Sequence, residues 1–303
     1  MNKRDSFTHS DLAYEKRTVL PNSDKKWQSE HGIEYHESEE NGIKYASLEV
    51  KTEEGAALIG KPIGKYITLF FGKLRTMEDD TLDVTRSVIS RKIRDLAEEM
   101  LGRRLTHRDG VLVVGLGNRE ITSDAIGPKT ADKLTVTRHI KYADEDVWNE
   151  LDMCEVSALS PGVLGQTGIE TVELVRGAAK NVAPSLLIVV DALAARSCER
   201  LASTVQLSDV GIEPGSGIGN RRKAIDRDTV GVPVMSIGVP TVVDSSTLVY
   251  DALSKAGIKD IDRNLREVLE NGRGFFVSPK DSDLICHEVS SLLSEAIDLA
   301  MTL

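Results

Sequence analysis

Two aspartates carry the clearest chemical signal in this chain, and each follows a short apolar run. Val111-Leu112-Val113-Val114 leads into Gly115-Leu116-Gly117-Asn118, with Asp124 close behind in Ser123-Asp124-Ala125. Leu186-Leu187-Ile188-Val189-Val190 leads directly into Asp191-Ala192-Leu193. β-Branched runs of this length read as strands covered on both faces, the kind found in parallel sheets. Such sheets bind ligands in the crevice beyond the carboxyl ends of their strands. Asp124 and Asp191 are therefore expected on one sheet edge, facing one crevice. Two neighbouring carboxylates can hold one proton between them, because like charges push one pKa upward. The ionised member can activate a water, and the protonated member can polarise a carbonyl and later protonate a leaving amine. A structural alternative competes: aspartate after a strand–loop transition is a favoured helix N-cap.

Other candidate motifs are weaker. Gly115-Leu116-Gly117 opens like a dinucleotide fingerprint, but Glu120 stands where the third glycine belongs. A tight turn letting backbone approach a ligand accounts for these glycines better. The Gly-rich stretch Gly211 to Asn220 runs into Arg221-Arg222-Lys223. It reads either as a surface loop ending in a solvated basic patch or as a loop that embraces an acidic substrate. It lacks the Gly-Lys-Ser/Thr of a P-loop. The histidines form no H-E-x-x-H or other metal pair, although His139, in Thr137-Arg138-His139, could approach the crevice. No serine occupies a G-x-S-x-G elbow. Cys154, Cys198 and Cys286 are too scattered for a disulfide framework or zinc knuckle, and Cys198 reads as a small buried thiol.

The elements that must position these residues divide into two styles. Residues 1–30 are polar with little periodicity and are expected to form a loosely held extension. A β-rich portion follows: Ile33 to Glu39 and Ile43 to Val50 flank Asn41-Gly42, a strong hairpin signal, and Tyr66 to Phe71 makes another strand. Asp79 to Leu101 has the spacing of an amphipathic helix. After Arg108-Asp109-Gly110 the pattern becomes α/β, with strands at 111–116, 154–158, 185–190, 204–207 and 234–238. Helices are expected near 126–135, 168–180, 243–256 and 283–301. Such alternation implies right-handed βαβ units, hence an α/β fold with a mostly parallel sheet flanked by helices.

Composition narrows the function classes. A net charge of −10 argues against direct nucleic-acid binding. No apolar run approaches the roughly 18 residues of a membrane helix. Met1-Asn2-Lys3-Arg4-Asp5 opens no h-region, so no secretory signal is expected and a cytoplasmic location is.

A family resemblance unites these segments. Val113 to Asn118, Asp124 to Lys129, Val136 to His139, Val156 to Val163, Gly165 to Thr171, Asp191 to Ser197, Gly211 to Lys223 and Gly238 to Asp244 together resemble the spore germination protease family, over roughly residues 5–250. The resemblance implies an aspartic endopeptidase with a fold similar to the hydrogenase maturation endopeptidases, made as a zymogen and assembled as a homotetramer in the forespore. It implies that small acid-soluble spore proteins are the substrates, cut after an acidic residue and before an apolar residue followed by Ala. The family's two catalytic aspartates match Asp124 and Asp191. Ser123 departs from the family's common Pro, and the segment after Asp244 is shorter than in longer members.

With that resemblance the N-terminus acquires meaning. Ser10-Asp11-Leu12-Ala13-Tyr14-Glu15 repeats the cleavage pattern, so a propeptide 1–11 is expected, cut between Asp11 and Leu12 and followed by a catalytic domain over 12–303. A free tail is the expected place for such a bond. Arg138, Arg196, Arg221 and Arg222 are candidates to grip the acidic side chain before the cut, since guanidinium binds carboxylate through two parallel bonds. No cofactor or metal is expected. The alternatives are a metal-dependent maturation peptidase of similar fold, using the carboxylates plus His139, and a nucleotide-sensing or structural protein in which both aspartates are caps.

Overall fold

The apolar runs and turns assemble into one sheet in the computed structural model, which describes residues 10–18, 20, 24–215, 222–258, 262–271 and 275–303. Its strands are β1 (Ile33–Glu40), β2 (Ile43–Val50), β3 (Gly64–Phe70), β4 (Gly110–Gly115), β5 (Glu155–Leu159), β6 (Leu186–Ala195), β7 (Thr204–Ser208), β8 (Val234–Asp244) and β9 (Phe276–Val277). They lie in the order β1-β2-β3-β7-β8-β6-β4-β5, with β9 beside β8. The block β5-β4-β6-β8 is parallel. The β1–β2 hairpin extends the same sheet antiparallel through β3 and β7. Asn41 and Gly42 both take positive φ, 51° and 84°, the pair a two-residue hairpin turn of matching twist requires.

Alternate side chains of β4 and β6 enter opposite layers, as a period of two demands. Val111, Val113, Ile188 and Val190 pack with Ile89 and Ile93 of helix Asp79–Leu101 and with Leu293 and Ile297 of helix Ser282–Met301. Leu112, Val114, Leu187 and Val189 pack with Val172 and Val175 of helix Thr171–Val182. Both faces of these strands are thus covered, which is why their sequences are continuously apolar. Among the described residues no helix is long and apolar enough to cross a membrane.

Two features differ from the sequence expectation. First, β6 and β8 overrun their apolar segments and stay paired as far as Ala195 and Val243, with a register irregularity between Leu193 and Ala194. Asp191 consequently sits inside a strand. Second, residues 10–18 are no loose extension. Ser10, Asp11, Leu12, Ala13 and Glu15 are buried. Helix Ala13–Thr18 rests on the β1–β2–β3 layer, where Ala13 joins Ile33, Leu48 and Tyr66. Every polar group that this burial removes from water must find a partner, and those partners come from the far end of β6 and from β7.

Candidate active site

Close backbone packing builds the turn that carries Asp124. After β4 the chain loops through Asn118 and returns in a one-turn 3-10 segment, Thr122–Asp124, to helix Ile126–Lys133. A Cβ on Gly115 would stand 2.1 Å from the Gly127 carbonyl oxygen, so only glycine lets the helix sit this near the strand. Gly117 has φ of 115°, and a Cβ there would meet the Asp124 carbonyl oxygen at 1.9 Å. These glycines therefore serve approach within the chain. The Asn118 N–H donates to Asp124 Oδ2 at 2.7 Å, and Thr241 Oγ1 donates to the Ser123 carbonyl at 2.6 Å, tying the turn to β8.

Asp191 projects from β6, where its Oδ1 accepts the Ala192 N–H at 2.9 Å. It is only 6% exposed. Neither aspartate caps a helix: Asp191 is within a strand, and the residue capping helix Ile126–Lys133 is Ala125. Both line one cavity of about 230 Å³, with Asp11, Leu193, Ala194 and Thr241. Burial lifts the Asp124 carboxyl, and the Asn118 N–H opposes the lift. Asp191 is pushed well above the usual carboxylate range, by burial first and then by the neighbouring charge of Asp124, with Asp11 adding to it. The pair is thus held in environments of different severity, the arrangement that separates an acid from a base.

Residues 10–15 lie across this site. The Asp11 N–H donates to the Ala194 carbonyl at 2.8 Å, and Asp11 Oδ2 accepts the Ala194 N–H at 2.9 Å. Leu12 is fully buried against Leu193, Ala195 and Val243. The Ala13 N–H donates to Gln206 Oε1 at 2.7 Å, and Gln206 Nε2 donates to the Asp11 carbonyl at 3.4 Å. The Glu15 carboxylate accepts from Arg196 N–H, Ser197 N–H and Ser10 Oγ at 2.7, 3.1 and 2.6 Å. A second cavity of about 410 Å³ adjoins the first through Asp11, Leu193, Ile212 and Glu213, and Lys61 and Gln206 line it. Desolvation lowers the Lys61 ammonium pKa, while the carboxylates of Asp11 and Glu213 pull it upward.

The other sequence candidates fare unequally. Arg138 pairs with Glu155 at 3.1 Å, at the start of β5. Val111 pairs with both Val156 and Leu186, so that end of the sheet lies about five residues, or roughly 16 Å, from Asp191. His139 is exposed on the same short helix, Arg138–Ala143, and does not join the carboxylates. Among the described residues no three His, Cys, Asp or Glu are grouped to hold a metal. Arg196 contributes its backbone N–H, while its guanidinium stands 4.0 Å from Asp251. The Arg222 N–H closes its loop onto the Pro214 carbonyl, and Arg221 lies outside the described residues. Cys198 is exposed, contrary to expectation, because it falls in a surface 3-10 turn, Cys198–Arg200.

Sequence reasoning missed Lys61 and Gln206. Lys61 stands between a left-handed Gly60, φ 66°, and Pro62, a helix-ending context without chemical signature. Gln206 did leave a trace: it is a long polar side chain inside the strand Thr204-Val205-Gln206-Leu207-Ser208, every residue of which is buried.

The chain is similar to known proteins over most of its length. Residues 8–275 match the family model described as germination protease. The chain is 38% identical to a germination protease of Caldanaerobacter subterraneus subsp. tengcongensis, over 96% of this chain and 93% of that one. It is 35% identical to one of Clostridium perfringens over 96% and 94% of the two chains. With one of Priestia megaterium it shares 41% identity over 85% of this chain and 69% of the relative.

Proposed function

The chain belongs to the germination protease family, and from that premise we propose that it is an aspartic-type endopeptidase made as a zymogen, with Asp124 and Asp191 as its acid–base pair. Its substrates are the small acid-soluble proteins of the spore, met in the spore core during germination, and its working form is a homotetramer. Chains that are disordered when released from DNA offer their backbone to a crevice without prior unfolding. The observation that carries this reading is the wall of the cavity: residues 10–15 repeat the acidic–apolar–Ala pattern, and their Asp11 lines the cavity together with both aspartates while Leu12 packs beside it on β6 and β8. Residues 1–11 are the propeptide on this reading, and the bond between Asp11 and Leu12 is the first one cut.

The chemistry follows from the two environments. Asp191, the more deeply buried, holds the shared proton, and Asp124 is the ionised member. A water oxygen bonds to the Asp11 carbonyl carbon while one of its protons passes to Asp124. The carbonyl oxygen takes up the displaced electron pair. When that pair returns, the bond to the Leu12 nitrogen breaks and the nitrogen takes the proton of Asp191. One proton remains on the pair, the water's second proton passes from the new carboxyl of residue 11 to the freed amine, and the products are a carboxylate at residue 11 and an ammonium terminus at Leu12. The acidic side chain before the bond is held by the Ala194 N–H, with Lys61 supplying positive charge from the adjoining cavity. Leu12 occupies an apolar slot of Leu193, Ala195 and Val243.

Mass spectrometry of the intact chain at mildly acidic pH tests the reading. Wild type should lose Met1 to Asp11, and Asp191→Asn should keep them. A full-length wild type that hydrolyses peptides without any processing would remove the zymogen assignment.

A further inference from the structure

Gln206 occupies a special place relative to the pair. It is in register with Gly238 of β8, which is in register with Asp191 of β6. Residues directly opposite one another share a face of the sheet. Asp191 and Gln206 therefore stand on one face, two strand spacings or roughly 10 Å apart, and the Leu193 side chain covers Gly238 on the strand between them. Segment 10–13 lies in reach of both. A single carboxamide, 7% exposed, bridges the acceptor just before the Asp11–Leu12 bond and the donor just after it. Its orientation is fixed by those partners, because a backbone N–H can only donate and a carbonyl can only accept.

We propose that Gln206 is a third catalytic residue of this site: its Oε1 registers the chain through the N–H two residues beyond the cut, and its Nε2 donates to the oxygen of the carbonyl under attack. This rests on the peptidase reading above. The two bonds differ in the way such a role requires. The registering bond is short, 2.7 Å, and the bond to the carbonyl is long, 3.4 Å. A donor loose against the ground-state carbonyl and tighter on the oxyanion stabilises the transition state selectively. Gln206 exchanges no proton. The negative charge forms on the Asp11 carbonyl oxygen as water adds, and it leaves with the collapse of that adduct.

The bland alternative is that Gln206 only anchors the N-terminal segment. Gln206→Glu separates the two, because a carboxylate still accepts the Ala13 N–H but cannot donate to the carbonyl. Self-cleavage and hydrolysis of an Asp-Leu-Ala-Tyr-Glu peptide are measured against pH, with amide exchange of Ala13 as the docking readout. Gln206→Glu should keep the Ala13 protection and the peptide KM while kcat falls by about 10²–10³, the usual loss of one oxyanion donor. The loss should shrink toward acid pH, where the introduced carboxyl regains a proton to donate. Gln206→Met should lose both protection and rate. A Gln206→Glu protein with wild-type kcat, or one whose whole deficit appears in KM, would overturn the assignment and leave the peptidase reading intact. If wild type cleaves neither bond, the peptidase reading falls and takes this role with it.

Discussion

Leu12→Ala should weaken the hold of residues 10–15 on the site without unfolding the sheet. Leu12 is fully buried, and its neighbours Leu193, Ala195 and Val243 belong to strands that stay paired without it. The substitution removes three carbons from that slot, and at about 0.8 kcal/mol for each the docked state loses about 2.4 kcal/mol. At 1.4 kcal/mol per decade the docking equilibrium shifts about 50-fold. Native-state amide exchange in an Asp191→Asn background, where the chain stays intact, reads this directly. Ala13, whose N–H is held by Gln206, should exchange about 50-fold faster, while helix Asp79–Leu101 should be unchanged. Self-cleavage should fall and hydrolysis of an added peptide should rise, because the same event removes the internal substrate and frees the crevice. Unchanged protection of Ala13 would refute the apolar anchor. Equal loss of protection across the sheet would show that the segment is part of the core rather than an occupant of the site.

Asp124→Asn and Asp191→Asn should each lower cleavage by about 10²–10⁴ with circular dichroism unchanged; activity within about tenfold of wild type would remove that residue from the mechanism. Asp191→Asn should also raise the melting temperature near neutral pH. The folded-state pKa of Asp191 is raised, so its favourable contribution is complete below the unfolded carboxylate pKa and is lost as pH rises through the folded value. The gain from the amide should therefore grow with pH and vanish in acid, and a gain independent of pH would contradict the assignment. Lys61→Met should collapse the preference for Asp over Asn before the cut, whereas Arg138→Ala should keep it, as read from kcat/KM on the peptide pair. In wild type that preference should fade at a lower pH than an ordinary lysine would give, because desolvation lowers the Lys61 pKa; a Lys61→Met protein with the wild-type ratio would leave the Ala194 N–H as the determinant.

Much of the scaffold was legible because its cause is local. The runs at 111–114 and 186–190 are apolar at every position, and the structure covers them on both faces. Asn41-Gly42 supplied the two positive φ angles of its turn. The continuation of β6 past Asp191 was hidden, because an aspartate after an apolar run looks like a strand's end. What keeps that segment extended is pairing with Val239, Pro240, Val242 and Val243 of β8, distant in sequence. Arg138, a candidate chosen for being near the motifs, lies away from the pair for a related reason. Arg138 adjoins a family motif in sequence but reaches the sheet through the start of β5, the edge opposite the crevice.

The N-terminal segment shows where local composition gives out altogether. Its polarity reads as solvation, yet Asp11 bonds Ala194 across 183 positions, Glu15 bonds Arg196 and Ser197 across 181 and 182, and Ala13 bonds Gln206 across 193. Polar atoms satisfied by so remote a surface are indistinguishable, in sequence, from polar atoms satisfied by water. The motif itself was readable; its burial was not. That difference changes what must restrain cleavage on the proposed reading. A bond on a free tail would be protected by the time needed to deliver it to the site. Here the bond already lies at the cavity, so delivery is not the barrier. Three carboxylates, Asp11, Asp124 and Asp191, meet at that cavity, and the first two both act to raise the third. Asp124 and Asp191 cannot both remain ionised there at low cost. Control of the reaction then resides in the protonation of this pair and in the geometry that Gln206 imposes on the bond, both of which belong to the folded core.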